Sequence, residues 1–139
     1  MSRLGPRHGW VADTPRTWNW LGLVPVSAGV TILIWVIILG FAHAAEVPEH
    51  VELNWKPKVL LTGGPYRFSR HPIYLAELAL WFGWVLFYGN LFVLAGFVVV
   101  MSVVTLLVPR EEQALERQFG DSYRRYKAAV HRWVGLPPR

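Results

Sequence analysis

The chain has 139 residues, 53% hydrophobic and 17% charged, with a net charge of +5 and no cysteine. That length suits one domain, and the absence of cysteine excludes disulfides, thiolate metal sites and a cysteine nucleophile. Positions 17–45 and 78–109 contain no Asp, Glu, Lys or Arg; such runs exceed the ~20 apolar residues that cross a bilayer, and the basic residues flanking them fit anionic headgroups and a positive-inside bias, not nucleic acid.

Residues 1–16 form a polar tail carrying Arg3, Arg7 and Arg16. The first span is expected from Trp18 to Ala45, with Pro25 near its start, where proline is best tolerated. Ala42-His43-Ala44 has the small residues of a signal cleavage site. The run from Leu21 to Ala42 is longer than the ~7–15-residue core of a signal peptide, however, so it reads as a retained span. Residues 46–72 are a loop broken by Pro48, Pro57, Gly63, Gly64, Pro65 and Pro72. As one helix, 78–109 would be ~48 Å long against ~30 Å of hydrocarbon. Gly89-Asn90 divides it into a hairpin, with span two from Pro72 to Tyr88 and span three from Leu91 to Val108. Trp18, Trp20, Trp55, Trp81, Trp84 and Tyr88 lie near span ends, as interfacial belts do.

In the tail, Leu115, Phe119, Tyr123, Tyr126, Val130 and Trp133 recur at three and four residues, one face of a helix. Gly120 followed by Asp121 reads as a stop and a fresh N-cap, dividing the tail into two short helices. The expected fold is therefore all-α: a single membrane-embedded domain over 1–139, a multi-pass bundle with spans at about 18–45, 72–88 and 91–108 and short C-terminal helices over 109–139. Seven Lys/Arg from 109 onward, with Lys56, Lys58, Arg67 and Arg70 in the loop and none at 89–90, put loop and tail in the cytoplasm. Three spans then put the N-terminus outside, against its three arginines, so its orientation stays open. The outer face of span one is available for self-association.

Two polar clusters meet at one membrane face: Gly63 to Tyr74, and Arg110-Glu111-Glu112. The hairpin brings Arg70, His71 and Tyr74 toward Glu111 and Glu112. Unit charges ~4 Å apart gain about 4 kcal/mol at an effective dielectric near 20, similar to the cost of a charge at the membrane edge, so pairing is expected whatever the function. His71 by itself reads equally as a capping or interfacial residue, and no His/Asp/Glu at metal spacing accompanies it, so no metal site is expected. Glu77, one turn after Tyr74, is either a functional group inside span two or a glutamate snorkelling to a nearby Arg.

These motifs resemble those of the isoprenylcysteine carboxyl methyltransferases and phospholipid N-methyltransferases. The shared pattern is Gly64-x-Tyr66, Arg70-His71-Pro72-x-Tyr74, an apolar hairpin, Glu111-Glu112-x-x-Leu115, Phe119-Gly120-x-x-Tyr123-x-x-Tyr126, and Val130 to Trp133. It covers about residues 56–133. The resemblance implies an enzyme, an S-adenosylmethionine-dependent membrane methyltransferase. Its acceptor would be lipophilic or membrane-embedded: an isoprenylcysteine-like carboxylate, a phospholipid amine or a small thiol. It further implies cofactor contacts from Lys58, Val59, Leu60, Leu61, Tyr66, His71, Pro72, Ile73, Tyr74 and Glu111, with Arg70 and Glu112 as catalytic candidates. Adjacent helix residues do not share a face, so Glu112 is expected to turn away from Glu111, toward Arg67 or Arg70. Tyr123 and Tyr126 are assigned to packing.

One position departs from the pattern. Animal isoprenylcysteine enzymes carry a basic residue one turn before the acidic pair, and Leu107 stands there. Two other readings remain. NADPH-dependent sterol-type reductases also carry Arg-His-Pro-x-Tyr followed by Glu, with different tails, and a non-catalytic membrane scaffold would keep the fold without binding a cofactor.

Overall fold

The computed structural model describes residues 6–44 and 59–137. It is all-α apart from a two-residue hairpin, β1 (Trp10–Val11) and β2 (Thr14–Pro15). The helices are α1 (Leu23–Ala44), α2 (Pro72–Tyr88), α3 (Leu91–Phe119) and α4 (Asp121–Ala129), with 3-10 turns at Thr17–Gly22 and Gly64–Arg67. Thr17–His43 and Leu91–Phe119 each contain an 18-residue stretch, of mean hydropathy 2.4 and 2.9 respectively, and are long and apolar enough to cross a membrane. The 17 residues of α2 make a shorter apolar rod of ~25 Å. Val24, Val30, Ile34, Ile37, Ile38 and Phe41 on α1 all point outward, an arrangement suited to lipid and unfavourable in water.

Contacts divide the chain into two compact units, one of Met1–Thr31 with Tyr74–Leu107, the other of Ile32–Ile73 with Val108–Arg139.

In the first unit the start of α1 lies directly on α2. A Cβ at Gly22 would strike the Gly83 backbone, and one at Gly83 would strike Gly22 and Val26, so only glycine permits this approach. α2 ends in carbonyls that no further helical turn satisfies, and the N-terminal tail supplies donors for them. Asn19, with no exposed surface, donates from Nδ2 to the carbonyls of Phe87 (2.9 Å) and Leu86 (3.3 Å). Trp10 Nε1 donates to the Phe87 carbonyl at 3.1 Å, and the His8 amide to that of Gly89 at 2.9 Å. Residues 6–16 of the polar tail thus form an ordered cap. α3 then starts where Asn90 Oδ1 accepts from the Phe92 amide at 2.7 Å, an N-cap bond. Gly96 leaves the space that the Trp81 ring occupies, a use of a small residue that lets helices pack closely.

In the second unit α3 departs from expectation. It does not stop at Val108 but runs through Pro109 to Phe119. Proline deprives the Thr105 carbonyl of its N–H partner, a loss that membrane helices tolerate. The first of the two short tail helices is therefore the end of α3. The second is α4, and Asp121 is its first residue rather than its cap. Gly120 holds the cap position at φ 54°, a conformation that a side chain disfavours. Val130 is extended, so the helical face ends before Trp133. Tyr123, Tyr126 and Val130 form a buried core with Leu60, Tyr66, Leu115 and Phe119 packed against it.

Candidate functional site

The site grows from a conflict on α3. Val104, Val108 and Glu112 follow at four-residue spacing and are all buried, at 2%, 1% and 2% exposure. A carboxylate thus occupies a position on the helix's apolar stripe. Left unpaired it would cost several kcal/mol, and three basic side chains converge on it. Arg132 grips it with a fork, Nη2 to Oε2 at 2.8 Å and Nε to Oε1 at 3.2 Å. Arg70 Nη2 lies 3.2 Å from Oε1. His71 donates from Nε2 to Oε1 at 3.2 Å.

The loop before α2 is shaped to deliver those groups. Gly64–Arg67 makes a 3-10 turn with Pro65 buried at its start. Ser69 Oγ accepts from the His71 amide at 3.1 Å and donates to the Arg132 carbonyl at 3.2 Å. The Arg70 amide donates to the His131 carbonyl at 3.0 Å, and the Gly135 amide to that of Phe68 at 2.9 Å. The segment after α4 is therefore stitched to the loop by its backbone, which brings Arg132 to Glu112.

Glu111, one residue earlier and about 100° around the helix, keeps 44% of its side chain exposed and lies 3.9 Å from His71 Nδ1. It faces a cavity of about 120 Å³ whose walls include Leu60, Leu61, Tyr66, Arg70, Leu115 and Tyr123. Tyr126 also borders it and donates from its hydroxyl to the Tyr66 carbonyl at 2.8 Å. Burial, with Glu112 adding to it, pushes the Tyr123 hydroxyl up to about 12. Burial and then Glu111 raise Tyr66, and burial raises Tyr126. All three phenols are protonated at neutral pH and can donate. Arg70 Nε, Arg70 Nη1 and the Tyr123 hydroxyl are buried with no hydrogen-bond partner among the described residues. Each such group carries a penalty of roughly 1–3 kcal/mol until an acceptor reaches it.

Of the residues expected from sequence, Val59, Leu60, Leu61, Tyr66, Arg70 and Glu111 line this one cavity. Lys58 lies outside the described residues. His71 and Pro72 are buried beside it in sequence but do not line it, and Ile73 is exposed. Tyr74 belongs to the first unit. Glu112 turns to Arg70 and not to Arg67. Arg132 and Ser69 have no role legible in the sequence, and Tyr123 fits packing alone there. The only available signal for Arg132 was its place in the basic-aromatic stretch Val130 to Trp133.

The sequence matches the phospholipid methyltransferase family over residues 20–122, most of the chain. An uncharacterized protein of Haemophilus influenzae is 40% identical over 63 residues, which are 45% of this chain and the whole of that protein. No solved structure matches.

Proposed function

The chain belongs to the phospholipid methyltransferase family of membrane methyltransferases, and from that premise we propose that it moves a methyl group from S-adenosylmethionine to a lipophilic acceptor, with the cofactor's amino-acid end in the Glu111 cavity. The observation that carries this reading is the set of unpartnered buried donors on Arg70 and Tyr123 beside the Glu111 carboxylate, around one cavity. That donor–acceptor set fits a zwitterion. The donors suit a carboxylate, and Glu111 suits an ammonium or sulfonium. At about 120 Å³ the enclosed space is below the ~300 Å³ of a whole small-ligand site, so it takes the amino-acid end and not the nucleoside.

The cofactor supplies a methyl group already activated on a sulfonium. The protein's part is orientation and exclusion of water. Arg70 and Tyr123 donate to the anionic end, Glu111 neutralises the cationic one, and Leu60, Leu61 and Leu115 keep the cavity dry. Glu112, with both oxygens engaged, acts as a positioning residue: it fixes Arg70, His71 and Arg132 and touches no reactant. His71 likewise positions Glu112. A carboxylate or thiolate acceptor needs no base, whereas an amine acceptor must lose a proton. Leu107, 41% exposed, offers no cation to an acceptor carboxylate, which favours the other acceptors. The basic loop and tail support a cavity facing the cytoplasm.

Calorimetric titration of the detergent-solubilised chain tests the reading. S-adenosylmethionine should bind and NADPH should not; binding of NADPH alone overturns it in favour of a reductase, and binding of neither in favour of a scaffold. Glu111→Ala and His71→Ala should each weaken cofactor binding at least about tenfold, a loss of ~1.4 kcal/mol or more. Near-normal affinity in both variants would remove the site as drawn.

A further inference from the structure

Glu77 is absorbed by neither the ion network nor the cavity. It lies in the second turn of α2, half-buried, on an apolar helix. Of the two readings of Glu77, snorkelling to an arginine is not seen among the described residues, where Glu77 makes no ion pair or hydrogen bond. It forms one end of an open groove of about 420 Å³ within the first unit, lined by Glu77, Leu80, Trp81, Trp84, Tyr88 and Val93. On α2 these residues stand at offsets of three, four, seven and eleven from Glu77, which is one helical face. The groove therefore follows the helix for about 16 Å.

Its walls are held in place. Trp81 fills the space left by Gly96. Trp84 and Tyr88 are 5.5 Å apart between ring centroids, and Tyr88 stacks on Trp10 at 6.1 Å with planes 1° apart. One carboxylate followed by three aromatic rings is a cation-recognising surface continued by an apolar track. Among the described residues no lysine or arginine lines it, so a head that also carries a phosphate would bring an anion next to Glu77 with no described cation to offset it.

We propose that this groove binds a long-chain amphiphile whose head is a lone ammonium, the cation on Glu77 and the alkyl chain along Trp81, Trp84 and Tyr88. The site shares no residue with the Glu111 cavity and does not depend on the methyl-transfer reading. It accounts for a carboxylate on an apolar helix that has no ion-pair partner among the described residues.

The test is saturation binding of radiolabelled hexadecyltrimethylammonium to the full chain in phosphatidylcholine nanodiscs. Saturable binding at one per chain is expected, weakened at least about tenfold in Glu77→Gln, since a desolvated charge pair exceeds a neutral contact by that margin. Hexadecanol and hexadecylphosphocholine should compete at least about tenfold less well, because one lacks the cation and the other adds a phosphate. This ligand series uses the unmodified chain, so it decides the matter even where Glu77→Gln fails to fold. Wild-type affinity in a folded Glu77→Gln, or equal competition by hexadecanol or hexadecylphosphocholine, overturns the proposal. Loss of S-adenosylmethionine binding in a parallel titration would bear on the cavity alone.

Discussion

The two compact units solve the same problem with different chemistry. Each buries polar groups that must be satisfied. In the first, the groups are backbone carbonyls at the end of α2, and a neutral side chain, Asn19, meets them with help from Trp10 and the His8 amide. In the second, the group is a full charge, Glu112, and Arg70, His71 and Arg132 converge on it. A dipole can lose a partner at modest cost, whereas a buried charge cannot. The first unit is built to hold helices together, and the second holds charged side chains at fixed positions beside a cavity.

Three substitutions test that contrast, beginning with the largest expected effect. Glu112→Ala strands two guanidinium groups and His71, and should cost about 3–5 kcal/mol, read as a large fall in the unfolding midpoint in detergent together with loss of cofactor binding. A drop no larger than that of Asn19→Ala would erase the distinction between the units. Asn19→Ala leaves carbonyls of Leu86 and Phe87 short of donors and should cost about 1–3 kcal/mol, with cofactor affinity unchanged; a parallel fall in affinity would show that the units are not functionally separable. Tyr123→Phe removes a buried hydroxyl that has no partner among the described residues, so stability should hold or rise by up to about 1 kcal/mol while cofactor binding weakens. Weakened stability with intact binding would return Tyr123 to packing alone.

Alkaline titration gives the finest comparison. The Tyr123 hydroxyl ionises near its ordinary 10.0 in the unfolded chain but only at about 12 when folded. The unfolded state releases its proton first as pH rises, so the stabilisation is complete below pH 10 and is lost between 10 and 12. Tyr123→Phe should flatten that decline. An unchanged slope would assign it to other phenols such as Tyr126, whose hydroxyl burial also raises.

Much of this architecture is legible in the sequence because its signals are local. The uncharged runs located the apolar helices, and Gly89-Asn90 marked the turn between α2 and α3. Tyr66, Arg70 and Glu111 could be named because their motifs are short and ordered along the chain. The passage of α3 through Pro109 was hidden because proline breaks helices in water, where its freed carbonyl has other partners. Arg132 was hidden for another reason: it meets Glu112 twenty residues away and is delivered by backbone bonds between the tail and the loop, which leave no periodic trace. The capping role of Asn19 spans 67 and 68 residues to the carbonyls it satisfies, and no local pattern announces it.

The setting of Glu112 also constrains how this sequence can change. Replacing Glu112 strands Arg70 and Arg132 together, and replacing either arginine leaves the carboxylate under-compensated on an apolar stripe. The three positions should therefore change only as a linked set: exchanging all of them for uncharged residues avoids a stranded charge, whereas every single step toward that exchange gives a less stable protein.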